Sequence, residues 1–332
     1  MSTSFGVMLL GTGSCLPARV LRNADFPVSL DTSDEWIRSR TGIQERRIAN
    51  ASETSAVLGL EAARRALEAA QLHAADVDMI ICATVTPDMM VPATACLIQA
   101  GLGCRPVPAF DLNAACTGFL YGLAVAAQFI RTGACRHILV VGSETLSRIV
   151  DFSDRSTCVL FGDGAGAVVL GAAKAPHGQH SFRLHADGGR GDYIRLNGVR
   201  LRPPVSSPAE VRPTDEFDFI RMNGREVFKF AVRTIIEVIG ESLAECNLTP
   251  ADIDLVIPHQ VNQRIIDAAF ADLNFPTEKL MVNLNRYGNT SAASIPIALD
   301  EAVRTRRIGS GDRVLLIAFG GGLTWGGGVW TL

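Results

Sequence analysis

The sequence repeats itself at a constant offset of 176 positions. The matching pairs are residues 72–78 (LHAADVD) with 248–254 (LTPADID), residues 131–133 with 307–309, and Asn113 with Asn289. A gap-free correspondence over so much of a 332-residue chain predicts two halves of similar fold rather than one unrepeated domain.

Each half has the same order of predicted elements: an amphipathic helix, an Asp-rich turn, a buried strand, a middle helix and a second buried strand. The predicted helices are residues 53–72 and 226–248, and the strands are 79–83, 137–141, 255–257 and 313–318. Apolar strands alternating with helices indicate an α/β protein with mainly parallel sheets, layered α-β-α-β-α. We expect halves of residues 1–175 and 176–332, with a ligand cleft beyond the strand ends where they meet.

Cys116 lies between an apolar strand-like run and a long apolar helix. A helix N-terminus presents unpaired N–H groups and a partial positive charge, so a thiol there is expected to lose its proton more easily. The alternative is a small buried apolar residue, which is the usual role of a lone cysteine. The repeat pairs Cys116 with Ala292, so we expect one asymmetric site with Cys116 as its nucleophile.

Two polar residues follow predicted elements of the second half. His259 comes directly after a strand that ends in proline, a place where side chains point into site-forming loops; the alternative is a hydrogen-bonded structural histidine. Asn289 precedes the middle helix, and its alternative role is an N-cap. Together with Cys116 they suit nucleophilic acyl transfer, in which a thiolate attacks and N–H donors stabilise charge on an oxygen.

Three successive glycines, residues 320–322, follow the last predicted strand of the repeat. Glycine lets backbone N–H groups approach a ligand closely. A phosphate-binding loop is disfavoured because no lysine follows and no helix pattern begins there. We therefore predict an oxyanion hole formed by the N–H of Gly321 and that of Cys116.

Composition excludes several classes of function. A net charge of −3 and a pI near 6.1 give no electrostatic footprint for nucleic acid or an anionic membrane, and no apolar run could span a bilayer. The N-terminus lacks a signal-peptide pattern, and eight cysteines without CxxC spacing fit reduced thiols, so a cytoplasmic protein is expected. No metal site is expected, because His177 and His180 have no acidic or cysteine neighbours.

Taken together, the motifs closely resemble those of β-ketoacyl-acyl-carrier-protein synthase III, a condensing enzyme of the thiolase-like superfamily. The resemblance runs nearly end to end and rests on residues 31–37 (DTSDEWI), 40–43 (RTGI), 113–119 (NAACTGF), 161–167 (FGDGAGA), 259–262 (HQVN), 287–291 (YGNTS) and 320–326 (GGGLTWG). It implies a duplicated thiolase-like fold, a homodimer and no resident cofactor, with coenzyme A thioesters as substrates.

The resemblance also implies a ping-pong mechanism that starts type II fatty-acid synthesis. Cys116 would take an acyl group, acetyl in the simplest case, from acyl-CoA. Malonyl-acyl carrier protein would then bind and lose carbon dioxide, while His259 and Asn289 stabilise the enolate. That carbanion would attack the acyl-Cys116 thioester to give a 3-oxoacyl carrier protein.

Further residues are assigned by the same resemblance. Coenzyme A would be bound by Trp36, Arg40, Thr41, Arg155, Gly224, Phe228 and Arg264, and the carrier protein would dock on Arg264, Lys229 and Arg225. Trp36 and Arg155 would sandwich the adenine, for which flat aromatic and guanidinium faces are suited. The alternative for Trp36 is a core aromatic of an amphipathic helix.

Three departures from the family pattern bear on the substrate. Val91 stands where well-studied members place a phenylalanine that crosses the dimer interface to floor the partner's acyl pocket, so a longer or branched primer is possible. Ala271 and Asp272 stand where the family pattern has a lysine pair. The Arg- and Pro-rich residues 200–213 are expected to form a surface excursion, longer than the family's usual connection. The alternatives are a specialised relative, with other primers, secondary metabolism or transfer without decarboxylation, and a non-catalytic scaffold. A degradative thiolase is disfavoured, since residues 318–332 lack a second cysteine.

Overall fold

A computed structural model describes residues 6–173, 178–196, 219–271, 273 and 275–332. In the first half the strands are β1 (Gly6–Cys15), β2 (Val20–Arg22), β3 (Glu45–Arg47), β4 (Met79–Ala83), β5 (Ala109–Leu112), β6 (His137–Thr145) and β7 (Asp163–Ala173). The helices are α1 (Asp34–Thr41), α2 (Ser55–Ala69), α3 (Thr94–Leu102) and α4 (Gly118–Arg131). Helix α2 begins later than predicted because Thr54 caps it, accepting the N–H of Val57.

The second half continues with strands β8 (Gly178–Gln179), β9 (Arg183–Ala186), β10 (Ile194–Arg195), β11 (Arg221–Met222), β12 (Leu255–Pro258), β13 (Arg313–Gly320) and β14 (Thr324–Thr331). Its helices are α5 (Gly224–Glu245), α6 (Gln263–Ala271), α7 (Leu284–Tyr287) and α8 (Ser294–Arg304). The predicted boundary between residues 175 and 176 and the excursion at residues 200–213 lie outside the described residues, as does His177.

Two five-stranded sheets form the frame. The first has the order β1-β7-β6-β4-β5. Strand β4 pairs in parallel with β5 and β6, whereas β7 runs antiparallel to both of its neighbours, β6 and β1. In the second, β12 and β13 are parallel, β14 runs antiparallel to β13, and β8 and β9 both pair with β14. The predicted parallel pairings thus join the strands whose loops lead to the candidate site.

The helices complete the five layers predicted from the sequence. Helices α4 and α8 lie between the sheets, where apolar side chains such as Phe119 and Leu299 share one core with both sheets. Strand β6 shows the two-residue alternation of a sheet covered on both faces: Val140 faces this central core and Val141 the outer helices α2 and α3. Helices α5 and α6 cover the outer face of the second sheet.

The duplication extends to individual hydrogen bonds. The Asp78 carboxylate accepts the backbone N–H of His137 at 3.1 Å, and Asp254 accepts that of Arg313 at 2.8 Å, 176 positions further along. The second residue after each amphipathic helix also has a left-handed backbone, with φ of 55° at Gln71 and 54° at Asn247. The two halves therefore share local geometry as well as topology, which fixes equivalent places for their strand-end loops.

Candidate active site

One cavity of about 460 Å³ brings the predicted catalytic residues together. It is lined by Cys116, His259, Asn289 and Gly321, among others. Each comes from the end of a different element: the turn between β5 and α4, the loop after β12, the segment between α7 and α8, and the turn after β13. Much of the remaining lining is apolar, from side chains such as Phe319. The cavity suits an acyl chain next to a small polar group.

Asn289 holds a turn with its side-chain oxygen. Its Oδ1 accepts the N–H of Ser291 at 2.8 Å, as Asn113 accepts that of Ala115 at 3.2 Å in the first half. Asn289 thus stabilises the turn before α8, a role similar to the helix N-cap that the sequence offered as its alternative. Because the oxygen is engaged there, the NH₂ group is the part of Asn289 left to face the cavity, and it is a donor.

The glycine turn packs closely against Cys116. A Cβ added to Gly320 would lie 2.7 Å from the backbone nitrogen of Cys116, so only glycine allows this approach. The Thr324 hydroxyl lies 2.9 Å from the carbonyl oxygen of Ala114 and 3.1 Å from that of Gly321. This contact ties the glycine turn to the Cys116 turn and sets the spacing of their N–H groups.

His259 is 2% exposed, and burial lowers its pKa to about 3. It is therefore neutral across the physiological range. Its Nδ1 lies 2.7 Å from the Ser294 hydroxyl, whose oxygen in turn accepts the N–H of Gln260 at 3.4 Å. This arrangement favours Ser294 as donor to Nδ1, which leaves the proton on Nε2, the other ring nitrogen of this cavity-lining residue.

The protonation of Cys116 differs from the sequence-based expectation. Cys116 lies in a 3₁₀ turn that leads into α4, yet burial raises the pKa of its thiol to about 12. The charge of Glu144 adds to this rise, and the Ser291 hydroxyl opposes it. The predicted lowering of the pKa is wrong because removing the thiolate from water outweighs the favourable field of the helix end.

A second cavity of about 230 Å³ contains most of the predicted coenzyme A contacts. Its lining includes Trp36, Arg40, Thr41, Arg155, Gly224 and Phe228. It shares four lining residues with the first cavity, Asn289 and Val261 among them, so the two adjoin. The Arg155 guanidinium lies 5.3 Å from the Trp36 ring centre, and that of Arg264 lies 6.0 Å from Phe228.

The remaining predicted residues lie on the surface. Arg225, Lys229 and Arg264 are exposed, and Lys229 forms an ion pair with Glu226 at 2.9 Å. Val91 is 83% exposed and is not among the described residues that line its own chain's cavity. Ala271 ends α6, and Asp272 lies outside the described residues.

Sequence reasoning missed three polar residues at the site: Glu144, Ser291 and Ser294. Glu144 is fully buried near the end of β6, and Ser291 lines the cavity. A single acid within the apolar strand run at residues 137–145 was the signal for Glu144. For Ser291 the signal was the repeat, since it corresponds to Ala115, the residue before the nucleophile.

Two features are absent from the described part of the chain. No helix there is long and apolar enough to cross a membrane. No group of three or more His, Cys, Asp or Glu side chains in those residues could hold a metal ion. His180 instead pairs with the Thr331 hydroxyl at 2.7 Å.

Comparisons with known proteins show the family of this chain. Family models described as 3-oxoacyl-[acyl-carrier-protein (ACP)] synthase III, and as its C-terminal part, match residues 110–188 and 243–332. A β-ketoacyl-[acyl-carrier-protein] synthase III of Caldanaerobacter subterraneus subsp. tengcongensis is 51% identical over 97% of this chain and 96% of its own. One of Natranaerobius thermophilus is 52% identical over 96% and 97%.

Solved structures give the same result. The 3-oxoacyl-[acyl-carrier-protein] synthase III of Aquifex aeolicus has a TM-score of 0.91 and 46% identity, covering 98% of this chain and 100% of its own. The priming β-ketosynthase of the R1128 polyketide pathway also has a TM-score of 0.91, at 36% identity, covering 100% and 98%. The family resemblance and the duplicated α/β fold predicted from the sequence are confirmed. The chain belongs to the 3-oxoacyl-[acyl-carrier-protein] synthase III family of acyl-transferring condensing enzymes.

Proposed function

We propose that this protein condenses an acyl-CoA primer with malonyl-acyl carrier protein, with loss of carbon dioxide, to give the 3-oxoacyl carrier protein that begins fatty-acid synthesis. The observation that carries the proposal is the convergence of a thiol, a neutral imidazole, an amide NH₂ and a glycine turn on one largely apolar cavity. Family membership supports the same reaction class.

In the first half-reaction Cys116 attacks the thioester carbonyl of the primer. The N–H groups of Cys116 and Gly321 donate to the oxygen as it becomes negative, and coenzyme A leaves as its thiolate. The close approach of Gly320 to Cys116 keeps these two N–H groups near each other. The acyl group then occupies the apolar part of the cavity.

In the second half-reaction malonyl carrier protein loses carbon dioxide and becomes an enolate. Nε2–H of His259 and the NH₂ of Asn289 donate to the enolate oxygen, a role for which both side chains are held ready by Ser294 and Ser291. Neither residue accepts a proton in this step. The enolate carbon attacks the acyl-Cys116 carbonyl, and the Cys116 thiolate is expelled.

Coenzyme A enters as a substrate rather than a resident cofactor, through the second cavity. A purine between Trp36 and Arg155 needs about 7 Å between their planes, twice the usual contact distance. The 5.3 Å between the central guanidinium carbon of Arg155 and the centre of the Trp36 ring is too short for this, so Arg155 moves when the base binds. It exchanges its bonds to the Asp31 side chain and carbonyl for a stack on the adenine.

The carrier protein docks on Arg225, Lys229 and Arg264, whose exposed cations suit an acidic partner.

A second copy of the chain covers another surface. Strand β5 is the edge of its sheet, and the nearby Met90 and Val91 are 77% and 83% exposed. Such exposure of neighbouring apolar side chains is unusual on a surface that no partner covers. All eight cysteines are free, as is typical of a cytoplasmic protein.

Val91 favours a second candidate, a synthase that prefers primers longer than acetyl or branched ones. It is 83% exposed and does not line its own chain's cavity among the described residues, and in a homodimer valine would limit the partner's acyl pocket less than a phenylalanine does. Competition of acetyl-, butyryl- and isobutyryl-CoA in one acylation reaction distinguishes the two. A strict preference for acetyl-CoA would exclude the second candidate.

The test of the proposed function is product analysis. Incubation with labelled acyl-CoA is expected to add the mass of one acyl group to the Cys116 peptide, and later addition of malonyl carrier protein to release a 3-oxoacyl carrier protein and carbon dioxide. If the Cys116 peptide gains no mass with any primer, the enzyme assignment fails. An acylated peptide without condensation would point to acyl transfer without decarboxylation.

A further inference from the structure

The proposed mechanism leaves the proton of Cys116 without an acceptor. Burial raises the pKa of the thiol to about 12, and His259 carries its proton on the ring nitrogen that a base would need to have free. The helix end does not remove the proton by itself. A group that can accept it has to lie beside Cys116 and out of water.

Glu144 is the buried carboxyl group next to this site. It is fully buried near the end of β6 and accepts hydrogen bonds from the Thr86 hydroxyl at 2.6 Å and from the Val85 N–H at 3.1 Å. Both donors are neutral, and burial raises the pKa of Glu144 to about 7. The carboxyl group therefore exchanges its proton in the range in which enzymes operate.

Ser291 belongs to the turn at residues 291–293, which packs against both the Cys116 turn and β6, the strand that carries Glu144. It is 2% exposed, lines the catalytic cavity, and its Oγ has no hydrogen-bond partner with standard geometry among the described residues. The same hydroxyl lies close enough to lower the pKa of both Cys116 and Glu144. A hydroxyl has one proton, so Ser291 can donate to only one of these two neighbours at a time.

The duplication explains this placement. Strand β13 ends against the turn at residues 115–117, where Gly320 meets Cys116. Strand β6 ends in the same way against the turn at residues 291–293. Glu144 is related to Gly320 by the offset of 176, so it occupies the equivalent place beside the opposite turn.

We propose that Ser291 and Glu144 form a proton relay for Cys116 in which the buried carboxylate holds the thiol proton while the enzyme is acylated. The inference rests on the proposed function for its substrate. The S–H proton passes to Ser291 Oγ as the Ser291 proton passes to Glu144, and the S–H electron pair stays on sulfur. Sulfur forms the new C–S bond, and the thioester bond to coenzyme A breaks.

The protons of the whole reaction balance with this relay. The departing coenzyme A thiolate takes one proton from solvent, which is the single proton that decarboxylative condensation consumes. When the enolate expels the Cys116 thiolate, the relay runs backwards and Glu144 returns the stored proton. Glu144 and sulfur together thus carry at most one negative charge at any stage, and the buried site avoids holding two at once.

Other titratable groups lie near Glu144 on the elements packed against it. Burial raises the pKa of Cys82 on β4 well above its usual value, and that of His259 is about 3. Asp163 on β7 has a pKa raised by burial, but it accepts hydrogen bonds from Ala49 and Ser147. The further carboxylates that act on Cys82 are Asp88 and Asp111.

A first experiment measures the rate at which iodoacetamide alkylates Cys116 between about pH 5.5 and 8.5. The mass of the Cys116 peptide reports the extent of alkylation. In the unmodified protein the rate is expected to rise roughly tenfold per pH unit and to level off above about pH 7, where Glu144 has ionised. Glu144→Gln preserves the shape of the side chain, and its alkylation rate is expected to keep rising with pH, without this break in slope near pH 7. Asp300→Asn, a change at another buried carboxylate, is the matched control and keeps the break.

A second experiment measures acylation by acyl-CoA in a rapid-quench apparatus. Ser291→Ala is expected to slow acylation roughly 10²-fold while its alkylation profile keeps the break near pH 7, because Glu144 still titrates. The relay is overturned if Glu144→Gln retains the break, if the unmodified protein has none, or if Ser291→Ala acylates at the normal rate. Alkylation needs no acyl-CoA, so failure of the proposed function is seen separately, and melting curves identify a variant that does not fold.

Discussion

The two turns at residues 115–117 and 291–293 have the same backbone and different chemistry. Each is a 3₁₀ turn that begins at a residue with a left-handed backbone, φ 48° at Ala115 and 49° at Ser291, and each is held by an asparagine two residues before. In the proposed mechanism the first turn, which carries Cys116, forms the covalent bond, whereas the second, which carries Ala292, supplies hydrogen-bond donors. The two copies of one turn would therefore have different roles in the reaction.

The largest expected effect tests whether the turns are interchangeable. Cys116→Ala should abolish acylation, and adding Ala292→Cys should not restore it. Ala292 is 1% exposed and is not among the described residues that line the cavity, so a thiol there cannot reach the substrate. Mass analysis of both peptides after incubation with labelled acyl-CoA is the measurement. A labelled peptide containing residue 292 would show that the two turns are chemically equivalent.

The next largest effect separates the two asparagines. Asn289→Asp keeps the oxygen that accepts the Ser291 N–H but removes the NH₂ donor, so condensation should fall about 10²- to 10³-fold while acylation changes little. Asn113→Asp, the matched variant of the first turn, should preserve both steps within a few fold. Single-turnover rates of the two half-reactions are the measurement. Equal loss of both steps in Asn289→Asp would contradict the assigned division of labour.

The sequence predicted the parts of the site that depend on element ends. Cys116, His259, Asn289 and residues 320–322 could be placed together because strands and helices in a duplicated α/β fold present their loops at fixed positions. The pKa of Cys116 could not be predicted, because its burial arises only when the glycine turn of the other half closes over it.

The same limit applies to contacts between the halves. Glu144 and Ser291 are 147 positions apart, and their meeting depends on how β6 of one half packs on a turn of the other. A local pattern carries no information on that packing. The position of Arg155 on Trp36 is similar, since the side chain is held there by Asp31 from a third segment.

A smaller effect concerns the stability that Glu144 contributes near its turn. Its pKa is about 7 in the folded protein and 4.5 when unperturbed, so between these values the native state holds a proton that the unfolded chain has lost. The free energy of unfolding therefore falls as pH rises through this window, by about 3 kcal/mol in all. This contribution is complete below pH 4.5 and lost above about pH 7.

Urea unfolding at about pH 5 and pH 8 measures this term. The difference in unfolding free energy between the unmodified protein and Glu144→Gln should change by about 2.5 kcal/mol in favour of the variant at the higher pH. Any hydrogen bond lost in the variant adds a constant at both pH values and cancels from the change. A difference that is the same at both pH values would show that Glu144 titrates normally.

The smallest effect tests the contact between the glycine turn and the Cys116 turn. Gly320 makes this contact in the second half, and the equivalent position in the first half is Glu144. In Gly320→Ala the new Cβ would stand 2.7 Å from the Cys116 nitrogen, so one turn has to shift, at a cost of about 1–3 kcal/mol in unfolding free energy. Gly309→Ala is the matched control, because its Cβ meets nothing within 4 Å among the described residues, and it should stay within about 0.5 kcal/mol. Acylation should also slow in Gly320→Ala, since the shift separates the N–H groups of Cys116 and Gly321. Unchanged stability with slower acylation would mean that the turn moves freely and that its position matters only for the oxyanion.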